Sequence, residues 1–172
     1  VLRYRAARGQ LPAFHAGQYF NLFVDIDSAT ASRPYSVSSP PAAPSTLELT
    51  VKRRSGGFVS EFLFERARVG DAASITGPDG EFFYNPLRDT RDIVGIAAGS
   101  GITPLMSMAE EIAATRRAVK MMLIYGSRDE KEYIFRERLE HLQERNHWLT
   151  VVDVLSRPSE QWTGERGHID GA

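Results

Sequence analysis

The sequence predicts two folded regions in series, a small antiparallel β-barrel over residues 1–87 and a wound α/β region over residues 88–172. Short alternating segments separated by turn residues fill the first region, which is typical of an antiparallel barrel. In the second region, continuous apolar runs alternate with helical stripes, as expected for buried parallel strands joined by helices. With 172 residues, 42% of them apolar, the chain is long enough to bury a substantial core.

Five segments of the first region have the alternation or the composition of strands. They lie at residues 1–6, 19–24, 47–52, 72–76 and 81–84. The last two flank a predicted turn at Gly77–Gly80, and a proline-rich loop is predicted over residues 38–45. Phe82 and Phe83 follow the turn and are assigned to the barrel core, with contact to an adenine ring as the less favoured alternative.

Three strands and two helices are predicted in the second region. The strands lie at residues 93–98, 121–125 and 149–155, and the helices at residues 105–117 and 133–145. This alternating order is the wound α/β pattern. Three strands form half of a dinucleotide-binding sheet, and no closing element precedes Gly171-Ala172, so we expect the native protein to continue.

Composition argues against several function classes. A net charge of −1 disfavours binding of nucleic acid through bulk electrostatics. Without cysteine the chain has no thiolate ligands, and its four histidines lack the spacing of a metal site, so no metal is assigned. No apolar run approaches the ~18 residues of a membrane span, and no signal-peptide pattern opens the chain, which favours a cytoplasmic protein.

The tetrapeptide Arg33-Pro34-Tyr35-Ser36 combines three groups suited to a flat, phosphorylated ligand. Arginine presents a planar fork to phosphate oxygens, tyrosine presents a ring that stacks, and serine presents a hydroxyl that donates and accepts. On a strand, Arg33 and Tyr35 share one face and Ser36 points to the other. Alone, these residues indicate an ordinary polar strand edge; two glycine turns elsewhere in the chain favour a ligand site.

The later glycine turn is Gly99-x-Gly101-x-x-Pro104, which follows a predicted strand and opens a predicted helix. Backbone amides and the helix N-terminus favour a pyrophosphate at such a turn. Thr103 suits the N-cap, and Pro104 suits the first helical turn. The third glycine of the usual dinucleotide fingerprint is absent and no acid closes the second strand, so a tight turn without a ligand is the alternative.

The earlier glycine turn begins with the pair Gly56-Gly57. Phe58, Phe62 and Leu63 recur at helical spacing, which predicts a short helix directly after the glycines. The turn therefore offers free amides and a helix start to a phosphate. The basic run at residues 52–54 lies just upstream, although alone it indicates a solvated strand end.

Together these segments resemble, in the same order along the chain, the flavin and nicotinamide motifs of the ferredoxin–NADP reductase family. The resemblance extends from residue 17 to residue 157. It implies an antiparallel Greek-key flavin-binding barrel over residues 1–87 and a partial Rossmann-like NAD(P)-binding domain over residues 88–172. The residues that it assigns to cofactor binding are Arg33, Pro34, Tyr35, Ser36, Val51, Lys52, Arg53, Gly57, Phe58, Val59, Ser60, Gly99, Gly101, Thr103, Pro104, Ser156 and Arg157.

The resemblance also implies individual roles. Arg33 would bind the flavin pyrophosphate, Tyr35 would stack on the isoalloxazine ring, and Ser36 would hydrogen-bond near flavin N5. Lys52 and the turn over residues 57–60 would hold the phosphates and the ribityl chain, and the later glycine turn would receive the nicotinamide half of the coenzyme. Ser36 and Tyr35 are therefore the candidate catalytic residues.

The function implied is that of an NAD(P)H-dependent flavoprotein oxidoreductase. It would carry FAD and pass electrons to an iron–sulfur, haem or flavin acceptor, such as a ferredoxin, an oxygenase or another redox component. Two alternatives are a reductase that releases reduced flavin and a non-catalytic flavin-binding electron-transfer subunit. The family's later cysteine–glycine segment is missing, so this piece alone is expected to transfer hydride poorly. A [2Fe–2S] domain, found in many relatives, would lie outside this cysteine-free chain.

Coenzyme choice rests on two Ser–Arg pairs. Ser127-Arg128 follows the second predicted strand and Ser156-Arg157 follows the third, where an open α/β sheet binds its ligand. Arginine forks there suit a 2′-phosphate, and no carboxylate closes the second strand, which together favour NADPH. The second pair resembles that of NADPH-using relatives, but the lysine and tyrosine that usually follow are absent. Solvated loop charges and NADH are the alternative.

Overall fold

The computed structural model describes residues 1–43 and 45–170. Its strands are β1 (Leu2–Tyr4), β2 (Tyr19–Ile26), β3 (Ala29–Ser36), β4 (Leu47–Leu49), β5 (Ser74–Asp79), β6 (Asp92–Ala98), β7 (Lys120–Ser127), β8 (Leu149–Leu155) and β9 (Glu165–Arg166). Its helices are α1 (Phe58–Glu65), α2 (Ile102–Thr115) and α3 (Arg136–Arg145). Pro44 of the predicted loop and Gly171-Ala172, the basis for expecting a longer protein, lie outside the described residues.

Antiparallel strands form the first region, as predicted. Strands β3, β2 and β5 make one sheet, β1 pairs with β4, and a bridge between Val37 and Leu49 connects the end of β3 to β4. Helix α1 covers this barrel-like region through Val59 and Leu63, because residues four apart share a helix face. The buried core consists of Phe20, Leu22, Val24, Ile26, Val37, Leu47, Leu49, Val51, Val59 and Leu63.

Two strand predictions in this region are wrong. The strand predicted at residues 47–52 ends at Leu49, because the chain then bends towards the first glycine turn. Residues 81–84 form no strand. Instead, β5 continues through the predicted turn as far as Asp79, with a register shift against β2 that accommodates the irregular backbone.

The aromatic pair after β5 lies outside the barrel core, contrary to the prediction. Phe82 is 61% exposed, and Phe83 stacks on His15 with the ring centroids 4.6 Å apart. Gly17 explains this placement, since a Cβ there would lie 2.1 Å from the carbonyl oxygen of Phe82 and 2.4 Å from Cε of Met108. The backbone of this loop therefore packs closely between the barrel and α2, and its side chains turn away from the core.

Parallel strands form the second region, as predicted, in the order β6-β7-β8-β9. Helix α2 packs so closely on β6 that a Cβ at Gly95 would lie 3.0 Å from Cδ1 of Leu105. Helix α3 starts at Arg136 and not at residue 133, because Phe135 adopts the left-handed conformation with φ of 65°. The short strand β9 was not predicted; two residues carry too little pattern to reveal it.

Burial of the central strands on both faces, expected from their continuous apolar runs, is not observed. Gly95, Ala97 and Leu123 face the helices and are buried. On the opposite face, Val94 is 64% exposed and Ile96 is 62% exposed. The wound α/β pattern is therefore covered on one side only within the described part of the chain.

A cluster of four charged side chains joins the two regions; we call it the charge cluster (Arg3, Glu48, Glu110 and Arg138). Glu48 of β4 accepts hydrogen bonds from Arg3 at 2.6 Å and from Arg138 of α3 at 3.0 Å. Arg138 also donates to Glu110 of α2 at 2.7 Å. Burial acts to raise the pKa of Glu48, but its bond to Arg3 and the charges of Arg138 and Arg3 hold that pKa below its ordinary value.

Candidate functional site

Strand β3 carries the predicted flavin motif at the open edge of the barrel sheet. Arg33 pairs in register with Leu22, and Tyr35 pairs with Phe20, so both motif side chains lie on one face of the strand, as predicted. The guanidinium of Arg33 is exposed and donates to the carbonyl oxygen of Ser32 at 2.6 Å. Burial raises the pKa of Tyr35, while the nearby charge of Arg33 opposes the shift. The pair therefore presents a cation and a half-buried ring side by side.

The first glycine turn needs both of its glycines. Gly56 has φ of 71°, a conformation that favours glycine. A Cβ at Gly57 would lie 2.5 Å from Oγ of Ser60 and 2.8 Å from the carbonyl oxygen of Arg54. Ser60 Oγ accepts a hydrogen bond from the amide of Arg54 at 3.1 Å and so closes the turn. The turn is packed by its own chain.

Helix α1 begins directly after this turn and packs beside β3. Its N-cap is Gly57, which has no side chain to bond the first amides, and the amides of residues 58–60 have no acceptor within the helix. A phosphate is a suitable partner for such amides, since the helix dipole adds a partial positive charge there. These amides and the exposed Arg33 guanidinium of the neighbouring strand β3 are therefore the candidate phosphate-binding groups of the barrel region.

Other residues assigned to the flavin face in different directions. Val51 and Val59 are buried in the barrel core, and Phe58 is 53% exposed. Arg53 forms an ion pair with Glu65 of α1. Lys52 extends away from the barrel, towards the α/β region.

The second glycine turn is a single 3₁₀ turn over Gly99–Gly101 between β6 and α2. Gly99 has φ of 51° and accommodates the sharp change of direction. A Cβ at Gly101 would meet no atom within 4 Å, so the space beside this glycine is open. Thr103 is not the N-cap, contrary to the prediction: the N-cap is Gly101, two residues earlier, and Thr103 Oγ1 donates back to the carbonyl oxygen of Ser100 at 2.7 Å. Pro104 lies in the first helical turn, as predicted.

A pair of tyrosines, one buried and one half-buried, supports the second turn, and sequence reasoning did not single it out. The hydroxyl of Tyr125 donates to the carbonyl oxygen of Gly99 at 3.1 Å and accepts from the amide of Ile134 at 3.2 Å. Its ring packs edge-to-face on Tyr133, with the centroids 4.8 Å apart. Burial raises the pKa of Tyr125 to about 12, so its hydroxyl stays a donor at neutral pH.

The tyrosine pair is itself held by a carboxylate. The hydroxyl of Tyr133 donates to Asp153 of β8. Burial raises the pKa of Asp153, although the hydrogen bond from Tyr133 opposes the shift. The only sequence signal was a tyrosine at the end of the second apolar run and an aspartate inside the third, which does not identify them as partners.

The two Ser–Arg pairs lie side by side, where the predicted sheet edge brings them. The amide of Ser156 donates to the carbonyl oxygen of Ser127 at 3.1 Å, and the amide of Arg157 donates to that of Arg128 at 2.7 Å. A cavity of about 330 Å³ lies between these strand ends and the second glycine turn. It is lined by Lys52, Ala98, Gly99, Gly126, Ser127, Arg128, Glu132, Ser156, Gly167, His168 and Ile169.

An acid also reaches this cavity, which the sequence pattern did not indicate. Glu132 follows β7 by several residues, yet its carboxylate accepts from Lys52 at 3.1 Å and from Arg128 at 2.9 Å. Asp129 shapes the intervening turn by accepting from the amides of Lys131 and Glu132, both at 2.9 Å. We call Lys52, Arg128 and Glu132 the cavity triad. It links the barrel to the end of the second parallel strand.

Comparison with known families finds two family models that match successive parts of the chain. A family model described as an oxidoreductase FAD-binding domain matches residues 5–84. A second, described as an oxidoreductase NAD-binding domain, matches residues 96–172. Ferredoxin–NADP reductase B of Sorangium cellulosum is 32% identical over 168 residues, which cover 98% of this chain and 68% of that protein.

The chain belongs to the ferredoxin–NADP reductase family. A second relative in this family comparison, the glycine betaine monooxygenase reductase subunit of Pseudomonas aeruginosa, is 33% identical over 160 residues. That match covers 91% of this chain but 43% of the relative, so the chain spans less than half of that protein.

The fold of the ferredoxin–NADP reductase family is confirmed by a solved structure. The cytochrome P450 reductase of Amycolatopsis superposes with a TM-score of 0.78 at 30% identity, covering 90% of this chain and 46% of that one. The antiparallel region followed by a Rossmann-like region, and the FAD- and NAD-binding domains implied by the resemblance, are thereby borne out. Among residues 1–43 and 45–170, no helix has the length and apolarity to cross a bilayer.

Proposed function

We propose that this chain is the flavin- and nicotinamide-binding unit of an NAD(P)H-dependent flavoprotein reductase. The observation that carries the proposal is the pair of glycine turns, each opening a helix: the first helix packs beside β3, the strand that carries the exposed Arg33, and the second turn lies beside a cation-lined cavity of about 330 Å³. Bound FAD would supply the chemistry that accepts two electrons and releases them singly. The protein would bind, orient and shield the two cofactors.

In the barrel region, residues 1–87 as proposed here, Arg33 and the first amides of α1 would hold the FAD diphosphate. Tyr35 would support the flavin ring with its half-buried face, and Ser36 would offer its hydroxyl to the ring edge near N5. The packed first glycine turn supports this assignment because it fixes the direction of the amides before a ligand arrives.

In the α/β region, residues 88–172, Gly99 and Gly101 would let the coenzyme pyrophosphate approach the N-terminus of α2. The open space beside Gly101 supports this role. Ser156 lines the adjoining cavity, and the exposed Arg157 follows it, which supports NADPH as the coenzyme.

The electron acceptor is proposed from the relatives' names. These include reductase components of oxygenase systems and a ferredoxin–NADP reductase, so an oxygenase, a ferredoxin or another redox protein is the proposed partner. A cytoplasmic location stays a prediction from the sequence.

Reconstitution with FAD tests the proposal. The chain should quench FAD fluorescence on binding, and Arg33→Ala should weaken the affinity by about 1.5–3 kcal/mol, the value of a charge-assisted hydrogen bond. Arg145→Ala, which removes an exposed arginine from α3, is the matched control. Absence of any flavin binding by the parent chain would refute the proposal.

Anaerobic titration with NADPH and NADH then separates a reductase from a non-catalytic subunit. Bleaching of the bound flavin supports the reductase; coenzyme binding without bleaching, in protein that contains the later family segments, supports the electron-transfer subunit. In the same protein, Ser36→Ala should slow flavin reduction in stopped-flow experiments while leaving FAD affinity nearly unchanged. A parent-like rate would remove Ser36 from its proposed role.

A further inference from the structure

The charges of the 330 Å³ cavity do not match a simple anion site. Lys52, Arg128 and His168 line it, and Glu132 is the one acidic residue among the lining residues. A site evolved only to attract phosphates would leave its cations unpaired. Here both fixed cations already hold a carboxylate.

The geometry of the cavity triad is that of an occupied phosphate clamp. Each carboxylate oxygen of Glu132 contacts one cation. Oε2 lies 3.1 Å from Nζ of Lys52, and Oε1 lies 2.9 Å from Nη1 of Arg128. A phosphate presents the same kind of paired oxygens to the same donors. The Lys52 ammonium lies 3.9 Å from the Cβ position of Gly99, beside the turn that would receive the coenzyme.

The triad is held in place but remains accessible. The Asp129 turn fixes the backbone at Glu132, as described above. The side chains stay partly exposed, at 49% for Lys52, 58% for Arg128 and 33% for Glu132. Exposed ion pairs contribute little to folding stability. Stability alone therefore does not explain why two cations contact the Glu132 carboxylate at the mouth of the cavity.

We propose that Glu132 is an internal competitor for coenzyme phosphate and thereby a specificity-determining residue. It neutralises Lys52 and Arg128 in the free protein, and a coenzyme phosphate must displace it to use those cations. We expect Glu132 to compete more with the extra 2′-phosphate of NADP than with the rest of the coenzyme, because Arg128 belongs to one Ser–Arg pair and lies beside the other at the strand ends. This inference rests on the proposed function, since it requires the nicotinamide coenzyme to bind at this cavity.

Calorimetric titration of the FAD-saturated chain with NADP⁺, NAD⁺ and 2′,5′-ADP tests the proposal. Glu132→Gln keeps the shape and removes the competing charge. We expect it to tighten NADP⁺ and 2′,5′-ADP about tenfold, the size of one charge-assisted hydrogen bond, and to tighten NAD⁺ less. Glu140→Gln is the matched control, because it removes one negative charge from an i,i+4 pair with Arg136 on the exposed side of α3.

The outcomes separate the possible explanations. A gain that disappears in the Lys52→Gln/Glu132→Gln double variant would support competition through the released cation. Unchanged or weaker NADP⁺ binding by Glu132→Gln, a gain equal to that of Glu140→Gln, or equal gains for NADP⁺ and NAD⁺ would each overturn the inference while the proposed function stands. If the parent and both variants bind none of the three ligands, the proposed function and the inference fail together.

Discussion

The two glycine turns look alike in the sequence and are built differently. Both precede a helix whose N-cap is a glycine without a side-chain cap. At Gly57 the position of a Cβ is blocked by Ser60 and by the backbone of Arg54, whereas at Gly101 a Cβ would meet no other part of the structure within 4 Å beyond its immediate chain neighbours and its own helix backbone. The first turn is thus closed by its own chain, and the second is closed from beneath by Tyr125 and left open above.

This difference indicates two separate uses of glycine. In the barrel, Gly57 makes room for the protein itself, so that the amides of α1 are fixed in one direction. In the α/β region, Gly101 leaves open space beside the turn, which we propose the coenzyme occupies. Substitution at the first should therefore affect folding, and substitution at the second should affect binding.

The largest effect is expected from Gly57→Ala. The new methyl group would overlap with Arg54 and Ser60, and overpacking of this kind costs about 1–3 kcal/mol of unfolding free energy. Urea unfolding followed by circular dichroism measures the loss, and FAD quenching should weaken in parallel. Stability equal to the parent's would contradict the closed-turn description; Gly101→Ala serves as the matched glycine control.

Gly101→Ala is expected to act on binding instead. The backbone there has φ of −64° and ψ of −12°, which alanine adopts without strain. Stability should stay within about 1 kcal/mol of the parent value. Affinity for NADP⁺ should fall on the order of tenfold, equivalent to about 1.4 kcal/mol, because the methyl group fills the open space beside the turn. A stable variant with parent-like affinity would show that the coenzyme does not approach this glycine.

Tyr125→Phe tests the support under the second turn. Loss of the hydroxyl leaves the Gly99 carbonyl and the Ile134 amide without this partner, which costs about 1 kcal/mol. Because the folded-state pKa of about 12 is above the ordinary value of 10.0, the hydroxyl's contribution is complete below pH 10 and disappears as pH rises towards 12. The free energy of unfolding, measured as pH rises from 10 to 12, should therefore fall more steeply for the parent than for Tyr125→Phe. Parallel curves would argue against the buried hydrogen bond.

The smallest effect is expected from Ser60→Ala. Its hydrogen bond to the Arg54 amide is exposed, so the loss alone should stay below about 1 kcal/mol. The same change removes one of the two atoms that block a Cβ at Gly57. A double-mutant cycle with Gly57→Ala should therefore show a coupling of about 0.5 kcal/mol or more in the relieving direction. Strict additivity would indicate that the Arg54 backbone alone closes the turn.

Local features of the chain were predictable because their causes lie within a few residues. The strand at β2 follows from alternation, α2 from its apolar stripe, and both turns from glycines placed before helical patterns. The N-cap at Thr103 failed because Gly99–Gly101 already forms a 3₁₀ turn and starts the helix earlier. Helix starts at Gly101 and at Thr103 are both locally acceptable, and the amino-acid composition does not decide between them.

Features that depend on distant partners were not predictable. Glu48 occupies an outward position in an alternating strand, yet it is 7% exposed because Arg3 and Arg138 meet it from two other elements. A coenzyme-binding acid is expected at the end of the second parallel strand, but Glu132 lies several residues beyond that end. The turn stabilised by Asp129 brings its carboxylate back to the cavity. The assignment of single residues to flavin or coenzyme stays a prediction that the experiments above address.

The charge cluster has a thermodynamic consequence for the molecule as a whole. Glu48 belongs to the barrel and Glu110 to the α/β region, and Arg138 bonds both. Separation of the regions would break the bond from Arg138 to Glu48, although Glu48 would keep Arg3 of the barrel region and Glu110 would keep Arg138 of the α/β region. Burial already raises the pKa of Glu110 against the influence of Arg138. The bond from Arg138 to Glu48 therefore couples the melting of the two regions by about the energy of one partly buried ion pair.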